Sequence, residues 1–172
     1  ESDWLARGTT PFAFTGWIRT PDATRNQMIV TQYTSDGGHD RGLVIDLSAP
    51  GTTARTLSCR WWYNNASADV DTVTTTDTVS DDAWTFFAGG SDGTNYWALI
   101  NAGTAVTTSI TGSGLRALGD HPLRIGRIAV NSSDAFGGEI CDVAYWYNQG
   151  LFAAGQLADL YNGGNGNTLL RG

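Results

Sequence analysis

The sequence predicts an all-β fold, an antiparallel two-sheet β-sandwich with one short C-terminal helix. Three observations predict it. The composition favours strands and turns over helices, because the chain has 22 Gly and 22 Thr but one Met and no Lys. Short apolar or alternating segments recur at intervals of roughly ten residues from end to end. Residues that supply a fixed or positive φ separate those segments.

Ten segments have the length and the pattern of strands. They cover residues 12–19, 27–33, 42–47, 56–63, 70–79, 84–88, 96–101, 105–110, 123–127 and 138–147. Pro or Gly stands in the turns at residues 20–22, 35–38, 49–51, 91–93 and 101–103. Turns of this length join antiparallel neighbours, so hairpins are expected throughout.

One segment has a helical pattern instead. Leu157, Leu160 and Tyr161 recur at i, i+3 and i+4, so they share one face of a helix over residues 153–161. The Asn- and Gly-rich segment 162–167 ends that helix.

The last long strand is apolar on both faces. Simple alternation places one triplet on each side, Ile140, Ala144 and Trp146 opposite Cys141, Val143 and Tyr145. A strand of this kind suits a sheet that is covered on both sides. One side is expected to face the sandwich core and the other to line a concave groove or a partner surface.

Length and charge limit the function classes. With 172 residues the chain has the size of one domain, so a single domain over residues 1–172 is predicted. All ten basic residues are Arg, 15 of the 17 acids are Asp, and the formal net charge is -7. Such a surface repels phosphate backbones, which argues against nucleic acid as a partner. No apolar run is long enough for membrane insertion.

The chain has two cysteines and two histidines, at spacings that no zinc site uses. Cys59 and Cys141 both fall in predicted strands, whereas His39 and His121 fall in turns. A bridge between neighbouring strands and two buried free thiols both remain open for the cysteines.

The segment 122–161 carries the most specific pattern in the chain. A strand of the type PLxIG precedes FxGxIxDVxxYN, and a polar helix with a leucine pair follows. This order resembles the end of laminin-G-like domains of the concanavalin A-like lectin/glucanase superfamily. The matching residues are Pro122, Leu123, Ile125, Gly126, Phe136, Gly138, Ile140, Asp142, Val143, Tyr147, Asn148, Leu157, Leu160 and Tyr161.

The resemblance implies a jelly roll over the whole chain. The likeness runs from DWL near the start to LYNGGNG near the end, and over residues 25–82 it is one of pattern only. The chain opens on ESDWLARG without an initiator Met, and ESDWL resembles the second half of a family motif. A truncated or processed N-terminal strand is therefore expected.

Catalysis of the glucanase type is not expected. Glucanase relatives resemble EIDxxE, but this chain has Cys141 at the central acid and Ala144 at the second Glu. Alternation would also send Glu139 and Asp142 to opposite faces of the strand. Glycoside hydrolysis needs two facing carboxyl groups, and no GxSxG elbow is present. The sequence therefore predicts a protein that is not an enzyme.

A cluster of aromatic and polar residues in the fourth strand suits carbohydrate binding, which needs an aromatic platform beside hydrogen-bonding groups. Alternation sends Arg60 and Trp62 to one face and Trp61 and Tyr63 to the other, so one pair must leave the core. The candidate ligand-binding residues are Arg60, Trp61, Trp62, Tyr63, Asn64 and Trp97. Trp17, Trp97 and Trp146 also lie in the middle of strands and are expected to line the same surface as this run. The alternative is core packing, the commoner role of Trp in a sandwich.

Calcium is a candidate cofactor, because laminin-G-like domains often hold one ion on adjoining loops and hard cations take oxygen ligands. The candidate ligands are Asp36, Asp40, Asp92, Asn131, Asp134 and Asp142. The alternative is ordinary turn chemistry, in which Asp and Asn accept hydrogen bonds from their own backbone.

The function expected from these patterns is a non-catalytic module that recognises a glycan or polysaccharide on a secreted or surface-displayed protein. The alternative is a structural or assembly protein, such as a virion decoration, fibre or tail subunit, with other protein chains as partners. A hydrolase or lyase with unfamiliar residues is the third reading. The expected location is extracellular, on a cell surface or on a virion surface.

Overall fold

The computed structural model of the chain describes residues 9–21, 26–36, 39–48, 55–63, 69–111, 122–127 and 134–164. Ten strands and one helix follow one another in these ranges. They are β1 Phe12–Arg19, β2 Gln27–Asp36, β3 His39–Ser48, β4 Thr56–Trp62, β5 Val70–Thr74, β6 Thr85–Ser91, β7 Asn95–Ile100, β8 Val106–Ser109, β9 Arg124–Ile125, β10 Glu139–Tyr147 and α1 Ala154–Tyr161. A short 3-10 turn, Asn162–Gly164, ends the described part.

The strands form two five-stranded sheets. The first sheet has the order β10-β1-β6-β7-β8, and the second has the order β5-β4-β3-β2-β9. Every pair of neighbours is antiparallel. The predicted two-sheet β-sandwich is confirmed, and β1 has the predicted bounds.

The core lies between the sheets and follows the alternation of the strands. In β1, Phe12, Phe14 and Ile18 pack into the core, whereas Ala13 and Trp17 belong to a second apolar cluster on the outer face of the first sheet. A third, smaller cluster lies on the outer face of the second sheet. Each sheet therefore carries apolar side chains on both faces.

A β-bulge in β10 corrects the predicted faces of that strand. Thr15 pairs with Ala144 and Trp17 pairs with Cys141, so Gly16 stands opposite two residues of β10. The surplus residue is Asp142, whose φ of 50° is left-handed.

The extra residue reverses the alternation on its N-terminal side. Ile140, Val143 and Tyr145 consequently pack against the core, while Trp146 packs on the outer face. The sequence had placed Ile140 with Trp146, which is wrong for this reason.

Two strands are no more than half as long as predicted. β5 ends at Thr74 because the hydroxyl of Thr75 donates to the carbonyl of Asp77 in a turn, at 3.0 Å. Val79 rejoins the second sheet only through an isolated bridge to Arg55. β9 has two residues, and Gly126, with a φ of 78°, ends it.

Helix α1 covers part of the outer face of the first sheet. Leu157, Leu160 and Tyr161 pack against that face, as their spacing predicts. The Ala153 N–H donates to the side-chain oxygen of Gln156 at 3.0 Å, and Asn162 ends the helix in a left-handed conformation. With eight residues, α1 is too short to cross a bilayer, and no helix among the described ranges is long and apolar enough to do so.

Candidate functional site

The outer face of the first sheet is largely occupied by the chain itself. Trp17, Trp97 and Trp146 share this face, but β4 lies in the second sheet, so the prediction that they line one surface with the residues of β4 is wrong. The Tyr161 ring stacks on the Trp17 ring with centroids 5.8 Å apart and planes at 15°, while Phe152 contacts Trp97 edge-on at 6.1 Å. Trp97 is fully buried by these contacts. The predicted sugar-binding role of Trp97 is therefore not supported by exposure.

Trp61 lies in the core between the sheets. Its ring stacks on the Tyr96 ring with centroids 4.2 Å apart and an interplanar angle of 5°, and 1% of the residue is exposed. The sequence had placed Trp61 among the ligand-binding candidates. That placement is wrong for a surface platform, because β4 turns this side chain inward.

Arg60 and Trp62 leave the core together, as alternation predicts. Both lie on the outer face of the second sheet, where Trp62 packs with Met28, Val44 and Tyr33. The Tyr33 and Trp62 ring centroids are 5.0 Å apart at 53°, and the Arg60 guanidinium carbon lies 5.9 Å from the Trp62 centroid. A guanidinium beside two aromatic rings is the combination that the sequence suggested for a sugar.

Asp46 completes this group from β3. Its carboxylate accepts a charge-assisted hydrogen bond from Arg60 Nη2, and its side chain is buried while 32% of the Arg60 side chain is exposed. Burial raises the pKa of Asp46 to about 6, opposed by Arg60 and assisted by the charge of Asp134. We call Tyr33, Asp46, Arg60 and Trp62 the outer cluster.

Several buried polar atoms of the outer cluster lack a hydrogen-bond partner. Asp46 Oδ1, Arg60 Nε and Trp62 Nε1 have none among the residues that the structure describes. Buried polar atoms are nearly always paired in folded proteins. These three atoms are enclosed by the chain and Trp62 is 5% exposed, so the parts of the outer cluster that a ligand can reach are the Arg60 side chain and the Tyr33 ring.

The remaining ligand-binding candidates lie at the end of β4. Tyr63 is half-buried, and its N–H donates to the carbonyl of Asp69 at 3.1 Å. Asn64 lies outside the described residues. Tyr63 comes one residue after Trp62, and strand alternation assigns its side chain to the face of Trp61 and not to the face of Trp62.

The calcium candidates are dispersed. The carboxylate of Asp92 accepts hydrogen bonds from the backbone N–H groups of Thr94 and Asn95, at 2.8 and 2.6 Å. Burial alone would raise the pKa of Asp92, but these hydrogen bonds outweigh it and leave the pKa lowered. Turn chemistry thus accounts for Asp92.

The other calcium candidates lie on different elements. Asp142 is the surplus residue of the β10 bulge, and the carbonyl of Asp134 accepts the Met28 N–H at 2.9 Å. Asp36 and Asp40 lie at the β2–β3 hairpin, where only their backbone is described, and Asn131 falls outside the described residues. Among the ranges that the structure covers, no three His, Cys, Asp or Glu side chains gather as a metal site.

The acids of β10 differ from the sequence prediction. Glu139 pairs with Arg19, next to the core residues Ile18 and Ile140, so its side chain belongs to the outer face. Asp142 lines a hollow on the same face with Trp17 and other outer residues. The prediction that Glu139 and Asp142 point to opposite faces is wrong, because the bulge restores them to one side. Glu139 forms a salt bridge with Arg19.

The cysteines are not joined. Cys59 is buried in the core, whereas Cys141 is exposed on the outer face of the first sheet. The sequence left open a disulfide bridge or two buried thiols. The structure has neither, because one thiol is buried and the other is exposed.

Sequence reasoning missed Asp46 and Tyr33. A single acid inside the apolar run of β3 was the available signal, because a buried carboxylate requires a cationic partner on a neighbouring strand. Nothing local identified Tyr33, which reaches Trp62 across two strand pairings.

Comparison with known proteins gives the fold a family context. A family model described as the concanavalin A-like lectin/glucanases superfamily, of laminin G type, matches residues 2–151. Among curated protein sequences, none matches the chain.

Similar solved structures share the fold at low identity. The CBM40 of Ruminococcus gnavus IT-sialidase, bound to α2,3 sialyllactose, has a TM-score of 0.67 and 14% identity, over 89% of this chain and 82% of that chain. Domain 4 of AbnA, a GH43 extracellular arabinanase from Geobacillus stearothermophilus, in complex with arabinotriose, has a TM-score of 0.63 and 14% identity. The match covers 91% of this chain and 68% of that chain. The SAP-like pentraxin from Limulus polyphemus has a TM-score of 0.64 and 13% identity, over 90% of this chain and 71% of that chain.

Proposed function

The chain belongs to the concanavalin A-like lectin/glucanases superfamily, and on that premise we propose that it is a non-catalytic carbohydrate-binding module. The outer cluster carries the proposal. It presents a partly exposed guanidinium, held by a buried carboxylate, beside the partly exposed Tyr33 ring, which packs on the buried Trp62. Similar structures support the ligand class, since a sialidase module is bound to sialyllactose and an arabinanase domain to arabinotriose.

Each part of the outer cluster has a chemical task in this role. The partly exposed Tyr33 ring offers an apolar surface to the carbon face of a sugar, and the buried Trp62 ring supports it from below. Arg60 offers N–H donors in a fixed plane, and Asp46 restricts the rotation of that plane through their ion pair. The arrangement binds and orients hydroxyl groups.

The absence of catalysis is part of the proposal. Glu139 is engaged by Arg19, and Ala144 stands at the second acid position of the glucanase pattern. Hydrolysis of a glycosidic bond needs an acid and a facing nucleophile or base. In the proposed role the module holds a glycan for a secreted or surface-displayed protein.

Binding to a glycan panel, followed by calorimetry with two variants, tests the function and the site. Arg60→Lys keeps the charge beside Asp46 but removes the planar fork, and Tyr33→Leu keeps an apolar side chain against Trp62 but removes the partly exposed ring. Each is expected to weaken binding by about tenfold, which corresponds to one hydrogen bond to a charged group or one ring contact. Arg124→Lys, on the far edge of the same sheet, is the matched control.

The outcomes separate two conclusions. A wild-type chain that binds no glycan overturns the function. A wild-type chain that binds, with both outer-cluster variants binding as tightly as the control, overturns the site. Melting temperatures of all three variants verify that the fold is retained.

Calcium remains a prediction that a thermal melt tests. If the candidate turns hold an ion, added CaCl2 raises the melting temperature and EDTA reverses the rise. Identical melts in both conditions would contradict a structural calcium site.

A further inference from the structure

Trp84 is the exposed tryptophan in the described part of the chain. It precedes β6 directly, and 42% of it is exposed, whereas the other Trp residues among the described ranges are buried or partly buried. An exposed indole loses the hydrophobic stabilisation that burial would give it. Trp side chains are enriched at binding interfaces, because each combines a large apolar ring with a polar N–H.

The surroundings of Trp84 are ordered by strand pairing. Ile18 pairs with Thr85, so the next residues outward, Arg19 and Trp84, lie side by side at the same end of the first sheet. Arg19 also pairs with Glu139 on its other side. Glu139, Arg19 and Trp84 therefore form a row across β10, β1 and the start of β6, on the outer face of the sheet.

Contacts within the row fix the indole. The Arg19 guanidinium carbon lies 5.4 Å from the Trp84 ring centroid, and Arg19 donates to the Glu139 carboxylate through Nε. Glu139 and Arg19 keep 55% and 43% of their side chains exposed. A positioned aromatic ring thus stands beside a donor group and an acceptor group that both reach solvent.

We propose that the row Glu139–Arg19–Trp84 is a second saccharide-binding site, specific for neutral sugars. The proposal rests on the proposed function for the class of ligand and adds a location and a charge preference. The exposed part of the Trp84 ring packs against the carbon face of a sugar ring. Arg19 N–H groups donate to sugar oxygens, and Glu139 accepts hydrogen bonds from sugar hydroxyls.

The charge preference follows from the acids around the row. Arg19 is already neutralised by Glu139, and the exposed Asp82 lies in the turn before Trp84, next to Asp81, whose carboxylate is paired with Arg55. The whole chain has a formal net charge of -7. A carboxylated sugar would meet like charges here without a spare cation, whereas a neutral sugar pays no such penalty.

The row and the outer cluster are separate sites. The row lies on the outer face of the first sheet, and the outer cluster lies on the outer face of the second sheet. The two sheets and their shared core stand between them, a spacing of about 10 Å for the sheets alone. A chain with both sites can bind two glycan segments at once.

Calorimetry of the full chain with arabinotriose, cellotriose and sialyllactose tests the proposal. Trp84→Ala should weaken binding of a neutral trisaccharide at one site by about tenfold. Binding at the outer cluster should persist in that variant and fall in Arg60→Lys. The control is Leu151→Ala, because Leu151 is exposed to a similar extent elsewhere.

Glu139→Gln separates a binding role from a structural one. The substitution removes the carboxylate that neutralises Arg19. The variant should therefore bind sialyllactose at the row, whereas the wild-type chain should not. Equal neutral-sugar binding by wild-type and Trp84→Ala, with binding lost in Arg60→Lys, would overturn the second site and leave the proposed function intact. Trp84-dependent binding of sialyllactose by the wild-type chain would overturn the neutral preference. No binding of any sugar by the wild-type chain would overturn both proposals.

Discussion

The Asp46 carboxylate is buried in the outer face of the second sheet, while its ion-pair partner Arg60 reaches solvent from the neighbouring strand. The pair therefore joins a desolvated anion to a surface cation. Desolvation dominates at Asp46, since the pKa is raised to about 6 although Arg60 lies against it. This position makes Asp46 sensitive to pH within the range in which proteins are studied.

Asp46 should make the stability of the fold depend on pH. The folded chain holds the Asp46 proton more tightly than the unfolded chain, so its contribution is fully present below about pH 4 and is lost as pH rises through about 6. The free energy of unfolding of the wild-type chain, relative to Asp46→Asn, should fall by about 3 kcal/mol over this range. Urea denaturation at several pH values measures the difference.

The Asn variant cancels the contributions of all other titrating groups, because they are common to both proteins. Parallel stability curves for the two proteins between pH 4 and pH 7 would contradict the raised pKa.

Gly16 should be intolerant of any side chain. A Cβ at this position would lie 2.7 Å from Phe87 Cε1, inside the core and opposite the β10 bulge. Gly16→Ala should lower the free energy of unfolding by about 1–3 kcal/mol through overpacking. Gly155→Ala is the control, because a Cβ there meets nothing within 4 Å in α1 and should stabilise by up to about 1 kcal/mol.

Thermal or urea unfolding compares the two alanine variants with the wild-type chain. A Gly16→Ala protein at least as stable as the wild type would show that Phe87 can move, against the close packing described above.

Tyr161 should anchor helix α1. Its ring stacks on Trp17 and lies 6.3 Å from the Phe86 ring. Tyr161→Ala should destabilise the fold by about 1–3 kcal/mol, whereas Tyr161→Phe keeps the stack and should cost much less. Near-ultraviolet circular dichroism measures the loss of the aromatic stack, and the melting temperature measures the loss of stability. Tyr147→Ala, at a residue that is 66% exposed, should change little; equal effects at Tyr161 and Tyr147 would exclude the anchor.

The two thiols should react at different stages. Cys141 is exposed and should react with a thiol reagent in the folded protein. Cys59 is fully buried, and burial raises its pKa, so it should react only after unfolding. Counting modified thiols before and after denaturation should therefore give one and then two. Cys141→Ser should give none before unfolding, and a rapid reaction in that variant would contradict the burial of Cys59.

The sequence carried most of the fold because its signals are local. β1 has the predicted bounds, since its apolar alternation is bordered by Pro11 and by the turn at Pro21. Helix α1 differs from the prediction by one residue at its start. Both elements depend on patterns that lie within a few residues of each other.

The features that sequence could not supply depend on tertiary contact. The pairing of Arg60 with Trp62 on one face follows from alternation, but burial of Trp97 depends on Phe152, more than fifty residues later. The Asp46–Arg60 pair depends on the register between β3 and β4. The bulge at Asp142 has no local mark, because Asp stands in regular strands of this chain as well.

Because of the bulge, β10 should tolerate the deletion of one residue. Asp142 is surplus to the ladder, so a one-residue deletion there would leave Ile140 inward and Glu139 outward in an unbroken strand. A β-branched replacement such as Asp142→Val disfavours the left-handed backbone and favours regular alternation, which would turn Glu139 into the sandwich. Deletion of Asp142 should therefore destabilise the fold less than Asp142→Val.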